Sequence, residues 1–114
     1  MKLFVTGGCG FIGSNFTIKQ ITDEENSILN YDKLTYAGNN DNLSSVKTNH
    51  RYEFVNGDIN DFTTLKEAIF DFDPDAIINF AAESHVDRSI EKPMDFVDSN
   101  IVGTATLLNV STLY

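Results

Sequence analysis

Cysteine occurs once in the 114 residues, at Cys9. No disulfide can close within the chain, and a reducing compartment is the natural expectation. Basic residues are scarce as well: 8 Lys and Arg stand against 17 Asp and Glu, for a formal net charge of −9. Such a field repels nucleic acid and anionic membrane surfaces, so neither is an expected partner. Any bound phosphate must be held by local dipoles and backbone N–H groups against that field. No apolar run approaches the ~18 residues of a membrane span. No signal-peptide pattern opens the chain, because Met1-Lys2 leads straight into a strand pattern; the expected location is the cytoplasm. In that compartment the Asn-x-Ser/Thr matches at Asn15, Asn42 and Asn109 carry no meaning for glycosylation. Internal repeats, low-complexity tracts and linkers are also missing.

What is present argues for one folded domain. Hydrophobic residues make up 41% of the chain and nine are Phe, which excludes a disordered segment. A chain of this size buries ~65% of its unfolded surface. Strand and helix patterns alternate. Lys2 to Thr6 is a short, mostly apolar strand. Phe11 to about Thr22 has helical spacing, with Ile12, Phe16 and Ile21 on or near one face. Ser27 to Tyr31 reads as a second strand closed by Asp32. Residues 33–50 form a long polar connection with a helical turn near Leu43 to Val46, and a connection of that length is more often functional than decorative. Tyr52 to Val55 is a third strand, ended by Asn56-Gly57-Asp58. Asp61 caps a helix in which Leu65, Ala68, Ile69 and Phe72 share a face, and Pro74 stops it. Ala76 to Ala81 is a nearly all-apolar fourth strand, as a sheet covered on both faces requires. Pro93 opens a final helix with Phe96, Val97, Ile101, Leu107 and Leu108 as core candidates.

Between the first strand and first helix lies Thr6-Gly7-Gly8-Cys9-Gly10-Phe11-Ile12-Gly13, a G-x-x-G-x-x-G run at Gly7, Gly10 and Gly13. The first glycine permits the tight turn, the second lets backbone approach a pyrophosphate, and the third lets the helix pack closely on the sheet. The helix N-terminus adds free N–H groups and a positive dipole end. Asp32 ends the second strand, where an acid binds both hydroxyls of an adenosine ribose and repels a 2′-phosphate. The cofactor expected is therefore NAD rather than NADP, with Lys33 softening the preference. The fold expected is α/β: a doubly wound parallel sheet of the Rossmann type, with about four strands in the order 3-2-1-4. The pattern reaches Tyr114 inside a helix without a stop signal, so the expectation is the first half of a longer fold.

Other polar residues carry a sharp and a bland reading side by side. Asp58 follows strand three; it bonds an adenine amino group, or it caps a turn with Gly57. Ala81 and Ala82 leave room for a dinucleotide across the strand ends, or simply pack. Cys9 lacks a neighbouring base and reads as a small filler. Glu83, Ser84, His85, Asp87 and Arg88 form a polar cluster at a strand end. Serine-hydrolase chemistry fits it poorly, since adjacent Ser and His rarely face each other there. A metal reading lacks ligands at helical spacing. A solvated loop is the bland alternative.

Taken together, TGGCGFIGSN (6–15), DKLTYAGN (32–39), Gly57-Asp58-Ile59, NFAAESHVDRSI (79–90) and Asn100 to Thr104 resemble the extended short-chain dehydrogenase/reductase superfamily. Within it they resemble the nucleotide-sugar 4,6-dehydratases, in particular the dTDP-glucose 4,6-dehydratase family. The first motif is common to the superfamily; DKLTYAGN and AAESHVDRSI are far more specific. The resemblance implies the NAD-binding part of an NAD-dependent lyase that takes dTDP-glucose to its 4-keto-6-deoxy product; the alternatives are an inactive or vestigial cofactor-binding fragment, or the N-terminal part of a nucleotide-sugar epimerase or decarboxylase. It implies that Phe11 and Ile12 meet the pyrophosphate through backbone N–H groups. Asp32, Lys33, Leu34 and Thr35 would surround the adenosine ribose, and Asp58 and Ile59 would flank adenine. Phe80, Ala81, Ala82, Glu83, Ser84 and Ser99 would line the dinucleotide, and Ser84, His85 and Arg88 would reach the substrate. Ser99 stands where the family usually has Thr, keeping the hydroxyl; Cys9 stands where Ala is usual. The family's catalytic Tyr-x-x-x-Lys pair has no counterpart among Tyr31, Tyr36, Tyr52 and Tyr114, so no catalytic residue is assigned. The last helix corresponds to one at a dimer interface in the family, which implies a homo-oligomer.

Overall fold

A computed structural model describes residues 1–33, 40–80 and 103–114. Four strands form one parallel sheet: β1 (Lys2–Thr6), β2 (Ser27–Asp32), β3 (Tyr52–Asn56) and β4 (Ala76–Asn79), in the order β3-β2-β1-β4. The expected doubly wound order is met. Register aligns Val5 with Asn30 on one side and Ile78 on the other, and Asn30 with Phe54. All four strands therefore end at one edge, and the turns that follow them share that edge.

Helix α1 (Phe11–Thr22) covers one face. It packs with Leu43 and Val46, in and after a 3₁₀ turn at Asn40–Leu43, over Leu3, Val5 and Ile28. Helices α2 (Phe62–Phe72) and α3 (Gly103–Leu113) cover the other, placing Leu65, Ile69, Leu107 and Val110 against Phe4, Leu29 and Tyr31. The Phe4 and Tyr31 rings stack tilted, 5.8 Å apart. Alternation along β1 and β2 sends successive residues to opposite faces, which is why both helix layers find apolar partners.

Local punctuation follows sequence chemistry. Asp61 accepts hydrogen bonds from the Thr64 N–H (3.2 Å) and hydroxyl (2.8 Å), capping α2. Those bonds hold its carboxyl below the usual carboxylate range. Asp73 closes α2 in the left-handed region at φ 54°, with Pro74 next. The Tyr114 hydroxyl donates to the Asp73 carboxylate and to the Pro74 carbonyl oxygen, tying α3 to this turn.

Several expectations are corrected. Ile12 does not join a core face; it is 69% exposed. The buried face of α1 is instead Gly13, Ser14, Thr17 and Ile21, because a helix that lies close to the sheet needs small residues beneath it. Leu108 is 63% exposed, while Leu107 is buried. Strand β4 ends at Asn79 and is half-buried, with Ile77 packed against one core cluster and Ala76 and Ile78 against the other. The expectations for Ala81, Pro93, Phe96, Val97 and Ile101 fall outside the described residues.

Candidate cofactor site

The turn from β1 into α1 sits at the shared strand edge. Gly7 takes φ 71°, open to glycine at no steric cost. A Cβ on Gly13 would stand 2.3 Å from the Gly7 carbonyl oxygen, so the third glycine lets α1 lie against the turn. Gly10 is the N-cap, with no side-chain capping bond. The first intrahelical bond runs from Ser14 N–H to the Gly10 carbonyl (2.8 Å), which leaves the Phe11 and Ile12 N–H groups ahead of the helical ladder. No acidic residue occupies that first turn. Phe11 and Ile12 are both exposed, at 80% and 69%. Dipole, free donors and absent acid together make a local anion cradle in a chain that is acidic overall.

Side chains from β2 fix the turn from below. Asn30 Oδ1 accepts the Gly8 N–H (2.9 Å), and Asp32 Oδ2 accepts the Cys9 N–H (2.9 Å). Asn42 Nδ2 donates to the Cys9 carbonyl (2.9 Å) from the 3₁₀ turn. Cys9 itself is fully buried; burial first, then the neighbouring Asp32 carboxylate, pushes its thiol up to about 12. It is a packing residue and no nucleophile at neutral pH. Asn30 carried no role in the sequence. Its signal is a polar residue in mid-strand between buried Leu29 and Tyr31.

Around the end of β2, Asp32 is nearly buried and Lys33 points to solvent beside it. Lys33 Nζ pairs with Asp58 Oδ2 at 3.6 Å, both side chains being about two-fifths exposed at 39% and 41%. Asp58 Oδ1 accepts the Asn60 N–H (2.9 Å), so the turn-capping role of Asp58 is present. Tyr31 hydroxyl donates to the Asp58 carbonyl (2.9 Å) and anchors the same turn. Ile59 is buried in the core with Phe4, Tyr31 and Leu65, leaving its backbone nearest the site. Phe80 follows β4, donates its N–H to the Thr6 carbonyl (2.8 Å) and packs on Phe16 at 5.3 Å. Thr6 and Asn79 side chains join β1 to β4 at 2.5 Å. The structure thus brings Gly7, Gly10, Phe11, Ile12, Gly13, Asp32, Lys33, Asp58, Ile59 and Phe80 to one edge of the sheet. Leu34, Thr35, Ala81, Ala82, Glu83, Ser84, His85, Arg88 and Ser99 lie outside the described residues.

Comparison with known proteins agrees with this geometry. The chain is 48% identical to a dTDP-glucose 4,6-dehydratase of Escherichia coli over all 114 of its residues, and spans 32% of that relative's length. The crystal structure of DesIV, a dTDP-glucose 4,6-dehydratase of Streptomyces venezuelae solved with NAD bound, superposes with a TM-score of 0.91 at 44% identity. That match covers 97% of this chain and 35% of the other. A UDP-glucose 4-epimerase of Brucella ovis, in complex with NAD, matches with a TM-score of 0.82 at 34% identity, covering 98% of this chain and 32% of the other. The chain spans about a third of the length of these relatives. The family model described as GDP-mannose 4,6 dehydratase matches residues 4–114, and the chain belongs to that family.

Proposed function

We propose that this chain is the NAD-binding part of a nucleotide-sugar 4,6-dehydratase that acts on dTDP-glucose. The observation that carries the reading is the glycine turn opening α1 with Asp32 beside it at the end of β2. The residues fit the cofactor. Phe11 and Ile12 N–H groups hold the pyrophosphate, and Gly7, Gly10 and Gly13 keep side chains out of its way. Asp32 takes the ribose hydroxyls, with Lys33, Leu34 and Thr35 around the ribose. Asp58 and Ile59 flank adenine, the latter through its backbone. Phe80, Ala81, Ala82, Glu83, Ser84 and Ser99 line the dinucleotide, while Ser84, His85 and Arg88 meet the sugar substrate. When bound, NAD supplies the hydride acceptor and donor for oxidation and reduction of the sugar.

The dehydratase reading is favoured over an epimerase by the higher identity to dehydratases, 48% and 44% against 34%. No tyrosine in the sequence has a lysine four residues on, so the proton-transfer pair of the family is not supplied here. Groups of that kind each contribute about 10²–10⁴-fold, so turnover of dTDP-glucose by these 114 residues alone is expected to be slower than a working enzyme by at least that factor. We place the working enzyme in the cytoplasm as a homo-oligomer, with exposed Leu108 and Leu113 of α3 available to a partner.

Calorimetric titration with NAD and NADP tests the binding half, and an assay for the 4-keto-6-deoxy sugar tests the other. NAD is expected to bind more tightly than NADP, without turnover. Equal affinities, or binding of neither, would overturn the cofactor assignment; product at about one per second would overturn the expectation that these residues lack the proton-transfer groups.

A further inference from the structure

We propose that Asn30 is the positioning residue of the glycine-rich turn: it aims the turn's backbone and thereby sets affinity for the diphosphate part of the bound nucleotide. The inference rests on the reading of this turn as a dinucleotide cradle.

Asn30 is fully buried in the middle of β2, flanked by buried Leu29 and Tyr31. A primary amide in such a place is unfavourable unless every polar atom is matched. An apolar residue would suit the sheet as well, so the core gives no reason for the amide. Its partners give one. Gly8 N–H is a donor and requires Oδ1 as its acceptor, at 2.9 Å. That choice fixes the amide, and Nδ2 then donates to Cys9 Sγ and to the Tyr52 phenol oxygen, both at 3.2 Å. The side chain thus joins the turn to the start of β3.

The fit is reciprocal. A Cβ on Gly8 would lie 2.4 Å from Asn30 Oδ1, so Gly8 is small because Asn30 comes so close. Asp32 and Asn42 hold the next peptide units through the Cys9 N–H and carbonyl. Gly10 then closes back on the Gly7 carbonyl (3.3 Å) as α1 begins. With Gly8 and Cys9 oriented by buried Asn30 and Asp32 and by exposed Asn42, the direction in which α1 presents the Phe11 and Ile12 N–H groups is set before any ligand arrives. Tyr52 buttresses Asn30 from the far side; burial first raises its phenol to about 12, so it stays a neutral partner.

The test compares ADP, which carries the diphosphate, with adenosine, which does not. The full chain and its Asn30→Ala and Tyr52→Phe variants are titrated with each by calorimetry. Asn30→Ala is expected to weaken ADP about tenfold while adenosine stays within about twofold. Tyr52→Phe is expected to shift the ADP-to-adenosine ratio in the same direction, by less, with its circular dichroism unchanged. Should Asn30→Ala fail to fold, the Tyr52→Phe ratio decides. Equal losses for both ligands, or an unchanged ratio, would mean a merely structural amide and overturn the inference alone. Failure of the unmutated chain to bind ADP would overturn the cradle reading and this inference with it.

Discussion

The ring of Tyr31 occupies the place where Gly57 would carry a side chain: a Cβ there would lie 2.4 Å from the Tyr31 Cζ and 2.5 Å from its hydroxyl oxygen. Tyr31 is fully buried and reaches through that gap to the Asp58 carbonyl. Gly57→Ala is therefore expected to overpack the β3–α2 turn and to destabilise the fold by about 1–3 kcal/mol. Urea denaturation reads this as a lowered midpoint with an unchanged slope. An unchanged midpoint would show that the Tyr31 ring yields at no cost.

Cys9 and Tyr52 predict the response to alkali. Burial leads both upward, the thiol from 9.0 to about 12 and the phenol from 10.0 to about 12. Groups raised on folding stabilise the fold fully below their unfolded values, and that contribution is lost as pH climbs through the folded ones. Stability is expected to hold to about pH 9 and then fall toward about pH 12. A thiol reagent at neutral pH is expected to label Cys9 only as fast as the chain opens, and rapidly in urea. Rapid labelling of the folded chain would contradict its burial.

Asp32 serves two partners in this account, the Cys9 N–H and a ribose. Asp32→Asn retains an oxygen for the Cys9 N–H and removes the charge. It is expected to weaken NAD about tenfold and to narrow the gap to NADP, as loss of a charged hydrogen-bond acceptor implies. Competition between the two dinucleotides measures the gap. A gap as wide as before would remove Asp32 from the selection.

Gly13→Ala tests the third glycine. Its methyl group has the Gly7 carbonyl oxygen at 2.3 Å and Gly8 Cα at 2.9 Å, both backbone, so α1 must move away from the turn. Loss of about 1–3 kcal/mol of stability is expected, with NAD affinity falling alongside it. Retained affinity in a stable variant would separate the turn from binding.

Much of this was legible because the relevant residues carry their constraint in their own chemistry. Glycines at 7, 10 and 13 can only be explained by a turn and a close helix, and Asp61 and Pro74 mark α2 at its two ends. Alternation of strands and helices implied the parallel sheet, and the glycine-rich turn with Asp32 pointed to the order 3-2-1-4 within it. What escaped depended on contacts between distant segments. Asn30 looked like an ordinary strand residue until Gly8, Cys9 and Tyr52 met around it. Ile12 and Leu108 were assigned to the core by periodicity, which counts apolar positions but not how closely a helix approaches its sheet. Asp58 left two readings open, and the Asn60 N–H supplies the turn-capping one.

The most direct test of the central claim is amide-resolved NMR of the isotopically labelled chain during titration with NAD. The account predicts that the largest shifts fall on the N–H groups of Phe11 and Ile12 and on Gly8, Asp32 and Asp58, all at the C-terminal edge of the sheet. Shifts confined to the opposite edge, around Ser27, Arg51 and Asp75, or an unchanged spectrum at saturating NAD, would contradict it.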